Sequence, residues 1–127
     1  MGLGKTIQAL AIAAAYRSEW PLLIVTPLSL RCSWRDAAIR WLGPPPFNIS
    51  REDIHVVASF NDAVEFGSHQ EQRKPITIFT YDLLSRFSEN MGRAVPQFDV
   101  VIMVSYNSFS YGFLQRDVKY LSLLLVY

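Results

Sequence analysis

The sequence predicts an α/β fold, in which a parallel sheet is covered by helices on both faces. Three apolar runs carry this prediction: LLIVT at 22–26, ITIFTY at 76–81 and FDVVIMV at 98–104. Each run is rich in β-branched residues and has the length of a strand buried on both faces. Segments with helical spacing alternate with the runs, and strands that alternate with helices form right-handed βαβ units.

Composition narrows the class of protein. Of 127 residues, 50% are hydrophobic and 18% are charged, which favours a packed domain over a disordered chain. The formal net charge of +1 provides no global field for nucleic acid or anionic membranes, so such a partner needs a local patch. No apolar run approaches the ~18 residues that span a bilayer, so no membrane partner is expected. We interpret the single cysteine, Cys32, as a buried small apolar residue in a reducing compartment.

The first helix is predicted from the Ala-rich stretch TIQALAIAAAYR, which follows Lys5. Its apolar residues recur at helical spacing, so we expect about three turns that begin at the preceding glycines. Pro21 stops the helix, and the strand at 22–26 follows.

The second helix is predicted within residues 27–43, where Trp34, Ala37, Ala38, Trp41 and Leu42 share one face. We interpret the two tryptophans as core residues. Ser33 and Asp36 have the spacing of a capping box, and Gly43 can close the helix.

The second half of the chain is less regular. IHVVAS at 54–59 predicts a short strand, Asn61 can cap a brief helix that runs to Phe66, and DLLSRFSENM at 82–91 predicts a third helix. After Ser105 no period is clear until the apolar segment VKYLSLLLVY, which fits a strand or a helix and could complete the sheet.

The opening residues, MGLGKT, match the second half of a phosphate-binding loop, G-x-x-x-x-G-K-[ST]. In such a loop, backbone N–H groups at a helix N-terminus hold phosphates, the lysine faces the γ-phosphate and the Thr hydroxyl binds Mg²⁺. Counting back from Gly4 passes Met1, so the first half of the loop is not in the sequence. The same residues also fit an N-myristoylation signal on Gly2, and Gly-Lys-Thr can begin a helix by chance.

Four blocks in order resemble the N-terminal ATPase lobe of Swi/Snf-type, helicase-like ATPases of superfamily two: MGLGKTIQAL, LLIVTPLSLRCSW, ITIFTYDLLSRF and FDVVI. The stretch EWPLLIV-P-SL---W is most similar to the annealing-helicase branch. The resemblance implies a partial RecA-like P-loop lobe over residues 1–104 that lacks the strand before the loop. Residues 105–127 form a divergent tail.

The resemblance also implies roles for individual residues. It assigns ATP phosphates to Gly2, Leu3, Gly4, Lys5 and Thr6, with Thr6 as the Mg²⁺ ligand. It implies DNA contacts by residues at two strand ends: Thr26, Pro27, Leu28, Ser29, Thr80 and Tyr81. Ligands of α/β sheets bind at the carboxyl ends of the strands, and hydroxyls there can donate to phosphate oxygens. Helix capping by Ser29 or Thr80 is the structural alternative, and both roles can coexist.

The chain departs from the family where FDVVIM should run into D-E-x-H, whose carboxylates order Mg²⁺ and polarise the attacking water. Here Val104 and Ser105 occupy the acidic positions, so no intact catalytic set is expected. The family's second ATPase lobe is also missing from the sequence.

These features predict a nuclear fragment of a DNA-dependent ATPase or translocase that does not hydrolyse ATP. The alternative is a non-catalytic module that binds DNA or a protein. A lipid-anchored small protein and a P-loop kinase are less favoured, and the kinase lacks an acidic site of its own.

Overall fold

A computed structural model of the chain describes residues 2–59, 61, 74–91, 100–105 and 121–126. Within these residues, short 3₁₀ turns lie at Arg17–Glu19, Leu28–Leu30 and Arg51–Asp53. The helices are α1 (Gly2–Ala15), α2 (Arg31–Leu42) and α3 (Tyr81–Met91), and the strands are β1 (Leu22–Thr26), β2 (Ile54–Val56), β3 (Ile76–Thr80), β4 (Val100–Ser105) and β5 (Leu121–Val126).

The strands form one parallel sheet in the order β2-β3-β1-β4-β5. At the centre of the sheet, Leu22 of β1 lies opposite Ile76 of β3 and Val100 of β4. The apolar segment near the C-terminus forms a strand, β5, which pairs along its length with β4. The predicted α/β class and parallel sheet are therefore confirmed, and the choice between strand and helix for 121–126 is settled.

Both faces of the central strands are buried. Every residue of β1 and β3 is buried, as the continuous apolar runs predict. On one face, a single cluster joins the sheet to α1 and α2; its buried members are Ala9, Leu10, Ala13, Leu22, Ile24, Trp34, Ala38, Leu42, Ile49, Ile54, Ile76, Ile78, Val100, Ile102 and Val104. Helix α1 contacts β4 and β5, whereas α2 contacts β2 and β3. Leu83 and Leu84 of α3 are buried outside that cluster, as expected for a helix on the opposite face.

The start of α2 differs from the prediction. The helix begins at Arg31, directly after a 3₁₀ turn, with Leu30 as N-cap and no side-chain cap. Asp36 pairs with Arg35 at 3.2 Å, so the predicted capping box of Ser33 and Asp36 is wrong. A helix that starts at residue 31 places position 33 inside the first turn rather than at the cap.

Two residues of α2 were assigned to the interior incorrectly. Cys32 is exposed, because it lies about 200° around the helix from buried Trp34. Trp41 is 43% exposed, because it lies at the margin of the buried arc of Trp34, Ala38 and Leu42. The Trp34 prediction is confirmed.

Gly43 closes α2, as predicted, by donating its N–H to the carbonyl oxygen of Ile39 at 3.0 Å. Its φ of −69° is an ordinary right-handed value, so the residue is not a left-handed cap. A Cβ at this position would collide with the Ile39 carbonyl oxygen and touch that of Ile49 at 3.4 Å. Glycine is therefore needed here for close approach of the backbone rather than for an unusual φ.

The remaining predictions concern the second half of the chain. The strand predicted at 54–59 spans only Ile54–Val56, although the N–H of Val57 still donates to the carbonyl oxygen of Ile78 at 2.9 Å. The brief helix predicted from Asn61 to Phe66 lies largely outside the described residues. Among the helices described, none is long and apolar enough to cross a membrane.

Candidate functional site

The N-terminus of α1 lies at the edge of the sheet where the strands end. A short connection joins α1 to β1, and the indole N–H of Trp20 in that connection donates to the carbonyl oxygen of Ala13 at 2.9 Å. The C-terminus of α1 is thereby held near the beginning of β1. A helix of 14 residues is about 21 Å long, and a strand of five is about 17 Å. Because α1 packs on β4 and β5 with its C-terminus at the end of the sheet where β1 begins, its first turn reaches the carboxyl edge of the sheet.

The first turn of α1 contains the residues assigned to phosphate binding. The helix begins at Gly2, so Gly2 and Leu3 are helical, as expected from a helix that begins at the glycines. Lys5 is exposed and Thr6 is half-buried. The first turn contains no acidic residue, and a Cβ added at Gly4 would meet no heavy atom within 4 Å.

This first turn carries a positive partial charge. The first four N–H groups of a helix lack acceptors within the helix, and the helix dipole adds a positive partial charge. No aspartate or glutamate neutralises that charge within the turn.

The residues at the end of β1 are the first of the two groups that were predicted to contact DNA. Thr26 is fully buried, and its hydroxyl donates to the carbonyl oxygen of Pro27 at 2.9 Å. Leu28 and Ser29 follow in an exposed 3₁₀ turn, and Leu28 is 66% exposed. No side-chain hydrogen bond caps α2, so capping by Ser29 is not realised.

The residues at the end of β3 are the second group that was predicted to contact DNA. Thr80 is the register partner of Thr26, so the two hydroxyl-bearing residues are neighbours at the same edge. The Thr80 Oγ1 accepts a hydrogen bond from the N–H of Leu83 at 3.3 Å, which caps the first turn of α3. The predicted helix capping by Thr80 is therefore confirmed. Since a hydroxyl can accept and donate at once, capping leaves the hydroxyl proton available. Tyr81, half-buried, is the first residue of α3.

The end of β4 carries no acidic residue. Val104 is fully buried, and Ser105 ends the strand, paired with Val126 of β5. Within the described parts of the chain, no cluster of three His, Cys, Asp or Glu residues could hold a metal ion. The structure thus gathers the phosphate-loop residues and both threonine-bearing strand ends at one edge, without a carboxylate on β4.

One feature of the surface was missed by the sequence analysis. A groove of about 420 Å³ lies between α1 and α2, and its lining is apolar: Ile7, Leu10, Ala11, Ala14, Ala15, Trp41, Leu42 and Phe47. The guanidinium of Arg40 lies 5.1 Å from the centre of the Trp41 ring. The run of alanines on one side of α1 was the available signal, because small side chains leave a depression where helices pack.

A second missed feature lies inside the sheet. The hydroxyl of Thr77 is fully buried, and no hydrogen-bond partner for it is found among the described residues. A threonine between Ile76 and Ile78 in an otherwise apolar strand was the sequence signal. In β3 this hydroxyl faces the side of the sheet opposite α1 and α2.

Comparisons with known proteins identify relatives over most of the chain. Residues 1–104 match the family model described as SNF2-related domain. The chain is 43% identical over 103 residues to the SWI/SNF-related matrix-associated actin-dependent regulator of chromatin subfamily A-like protein 1 of Bos taurus, covering 81% of this chain and 10% of that protein. It is 38% identical over 103 residues to the same-named protein of Xenopus laevis, covering 81% and 9%.

A second group of relatives is named for its activities. The chain is 36% identical over 105 residues to the DNA annealing helicase and endonuclease ZRANB3 of Homo sapiens, covering 81% of this chain and 9% of that protein. The chain thus spans about a tenth of the length of these curated relatives. No solved structure matches it significantly.

Proposed function

The chain belongs to the SNF2-related domain family, and from this membership we propose that it is an ATP-binding lobe fragment of a nuclear DNA-dependent ATPase or translocase. The names of its relatives describe chromatin regulation and DNA annealing. The chain covers about a tenth of those proteins. We propose that remodelling or annealing requires a longer protein with the second ATPase lobe that the family resemblance implies. Residues 1–104 form the family lobe, and residues 105–127 are a divergent tail that adds β5 to its sheet.

The placement of Gly4, Lys5 and Thr6 at the carboxyl edge of the sheet carries the proposal. The unneutralised first turn of α1 and the open space at Gly4 fit a phosphate group, and exposed Lys5 supplies a positive charge beside it. Among residues 2–6 the Thr6 hydroxyl is the one side-chain oxygen, and oxygen is the ligand atom that Mg²⁺ prefers. The residues present therefore fit the phosphates of ATP, with Gly2 and Leu3 contributing backbone N–H groups.

The neighbouring strand ends fit the backbone of a DNA strand. Exposed Ser29 presents a hydroxyl at this edge, and Thr80 beside it keeps a hydroxyl proton available; hydroxyl contacts to phosphate oxygens position a strand without reading its sequence. The Thr26 hydroxyl is buried and donates to the carbonyl oxygen of Pro27, so we assign Thr26 to holding the turn that presents Leu28 and Ser29. Exposed Leu28 offers an apolar contact beside Ser29. Pro27 and Tyr81 complete this proposed surface.

We expect the chain to bind ATP weakly and not to hydrolyse it. Bound Mg²⁺ would neutralise charge on the phosphates, but it needs a carboxylate to order it, and the attacking water needs a second one. The end of β4 offers Val104 and Ser105 instead. Neither side chain carries the required charge, so binding and hydrolysis are separated in this chain.

Isothermal titration with Mg²⁺-ATP tests the binding part. We expect a weak signal that Lys5→Ala abolishes, because the lysine charge faces the phosphates. Lys74→Ala is the matched control: Lys74 is also exposed but precedes β3, at the opposite edge of the sheet, so its loss should leave binding unchanged. Equal loss in both variants would contradict a phosphate site at α1.

Release of labelled phosphate tests the catalytic part. We expect no turnover above the rate without protein. Turnover that Lys5→Ala abolishes would contradict the absence of hydrolysis, because it would show that the chain supplies the missing groups elsewhere.

The missing carboxylates also favour a second candidate, a non-catalytic module that binds DNA. On this alternative, DNA binding is independent of ATP, decreases with salt and is lost on Ser29→Ala with Thr80→Ala. Lys5→Ala leaves it unchanged. Fluorescence anisotropy with a labelled single strand, with and without ATP, separates the two candidates.

A further inference from the structure

The apolar groove between α1 and α2 has one wall of small side chains and one of aromatic side chains. On α1, Ala11 and Ala15 line the groove one turn apart and are both exposed, and Ile7 precedes them by a further turn. The opposite wall includes Phe47 and Trp41, which is 43% exposed. Because alanine side chains are short, another helix can approach the axis of α1 closely along this wall.

The groove has the length of a short helix-binding surface. From Ile7 to Ala15 it extends for about 12 Å, because each helical residue adds 1.5 Å along the axis of α1. Apolar side chains at positions i, i+4 and i+7 of a docked helix extend over about 10.5 Å, so three of them fit along it. Helices α1 and α2 contact each other and both begin at the carboxyl edge of the sheet, so a helix in the groove lies against both.

A positive charge lies beside the groove. Arg40 is exposed, and its guanidinium is 5.1 Å from the centre of the Trp41 ring. Within the described parts of the chain no carboxylate pairs with Arg40, because Asp36, one turn earlier, pairs with Arg35 at 3.2 Å. Every residue that lines the groove is apolar. An apolar surface with a positive charge at its margin is complementary to an apolar ligand with a negative charge at the matching position.

We propose that this groove binds an amphipathic helix of a partner protein, whose apolar side packs against Ala11 and Trp41 and whose carboxylate pairs with Arg40. The contact with the Trp41 ring already limits the positions of the guanidinium, so less side-chain freedom is lost when the ion pair forms. The groove contains none of the residues assigned to ATP or DNA, so this binding does not depend on the proposed ATP site.

Selection from a phage-displayed library of helical peptides against the full chain tests the proposal. In the library, positions i, i+4 and i+7 are apolar and the other positions vary. We expect enrichment of Asp or Glu at a position beside the apolar ones, and no acidic enrichment when the library is selected against Arg40→Glu. In fluorescence anisotropy, a labelled peptide of the selected sequence should bind the original chain at least about tenfold more tightly than Arg40→Glu. Replacing the acidic residue of that peptide with lysine should restore binding to Arg40→Glu.

Two further variants separate the groove from the general charge of the surface. Ala11→Leu places a larger side chain in the groove from an exposed position, so peptide binding should weaken at least about tenfold. Arg17→Glu is the matched control, because the Arg17 guanidinium also lies over an indole, 4.7 Å from the centre of the Trp20 ring, but neither residue lines the groove. Its peptide binding should be unchanged. All three variants change exposed residues, so their far-ultraviolet circular dichroism should match that of the original chain.

The proposal is overturned by a selection that enriches no peptide, by acidic enrichment that persists against Arg40→Glu, by binding that survives Ala11→Leu, or by equal losses in Arg17→Glu and Arg40→Glu. Sedimentation velocity covers a different occupant of the groove. A dimer of the chain alone that Ala11→Leu dissociates would overturn the proposal in favour of a second copy.

Discussion

Gly4→Ala tests whether Gly4 is needed for phosphate binding rather than for the fold of α1. In a phosphate-binding loop a glycine is expected where the backbone curls, whereas in α1 Gly4 is the third residue of a helix. A Cβ added there meets no heavy atom within 4 Å. The substitution therefore introduces no collision, and its effect on the free energy of unfolding is set by helix propensity.

Alanine is favoured over glycine by about 0.8–1 kcal/mol in a helix interior. Because Gly4 lies in the first turn, where fewer backbone hydrogen bonds depend on it, we expect Gly4→Ala to stabilise the chain by about 0.5–1 kcal/mol. For a chain of 127 residues, that gain raises Tm by about 2–4 °C. Urea denaturation should show a higher midpoint with an unchanged slope, since the surface exposed on unfolding is the same.

Gly4→Ala should lower the affinity for ATP, although it raises the free energy of unfolding. The methyl group that Gly4→Ala introduces would occupy the open space through which we propose that a phosphate reaches the backbone. Calorimetric titration should therefore show weaker binding by the more stable variant. A lower free energy of unfolding would refute the helical assignment of Gly4, and unchanged affinity would refute the approach of phosphate at this residue.

Three further substitutions test the packing around the candidate site, each by urea denaturation. Gly43→Ala should destabilise the chain by about 1–3 kcal/mol, because its Cβ would collide with the Ile39 carbonyl oxygen. Thr80→Ala should cost about 1 kcal/mol, because the Leu83 N–H loses its cap. Thr77→Val should leave stability unchanged or raise it by up to about 1 kcal/mol, because the replaced hydroxyl is buried and finds no partner among the described residues.

Two of these substitutions have a control variant in the same chain. Gly4→Ala is the same chemical change as Gly43→Ala in open space, so equal effects would contradict the collision at Gly43. Ser29→Ala removes a hydroxyl that caps no helix, so a loss equal to that of Thr80→Ala would contradict the cap. Marked destabilisation by Thr77→Val would show that its hydroxyl is hydrogen-bonded.

The strands could be predicted because burial on both faces leaves a continuous apolar run. LLIVT and ITIFT are recognisable for that reason, and both are completely buried in the structure. Such runs also indicate a parallel sheet, which fixes the edge where the candidate residues meet. The grouping of Thr26 and Thr80 at one edge therefore followed from the sequence.

The errors lie where local signals competed. Ser33 and Asp36 have the spacing of a capping box, but the 3₁₀ turn at Leu28–Leu30 starts α2 before them. Cys32 was assigned to the interior by residue type and Trp41 by its helical spacing, whereas the exposure of each depends on how far around α2 the buried side extends. The extent of that buried side cannot be predicted from the sequence of α2, because it depends on how the helix packs against the sheet.

The central position of β1 has a consequence for synthesis of the chain. Leu22 pairs with Ile76 on one side and Val100 on the other, so β1 emerges long before either neighbour exists. Contacts between such distant segments form slowly, and an unpaired apolar strand can associate with other chains in the meantime. During synthesis both edges of β1 therefore stay unpaired until β3 and β4 have been made, and LLIVT is the segment most open to association with other chains in that interval.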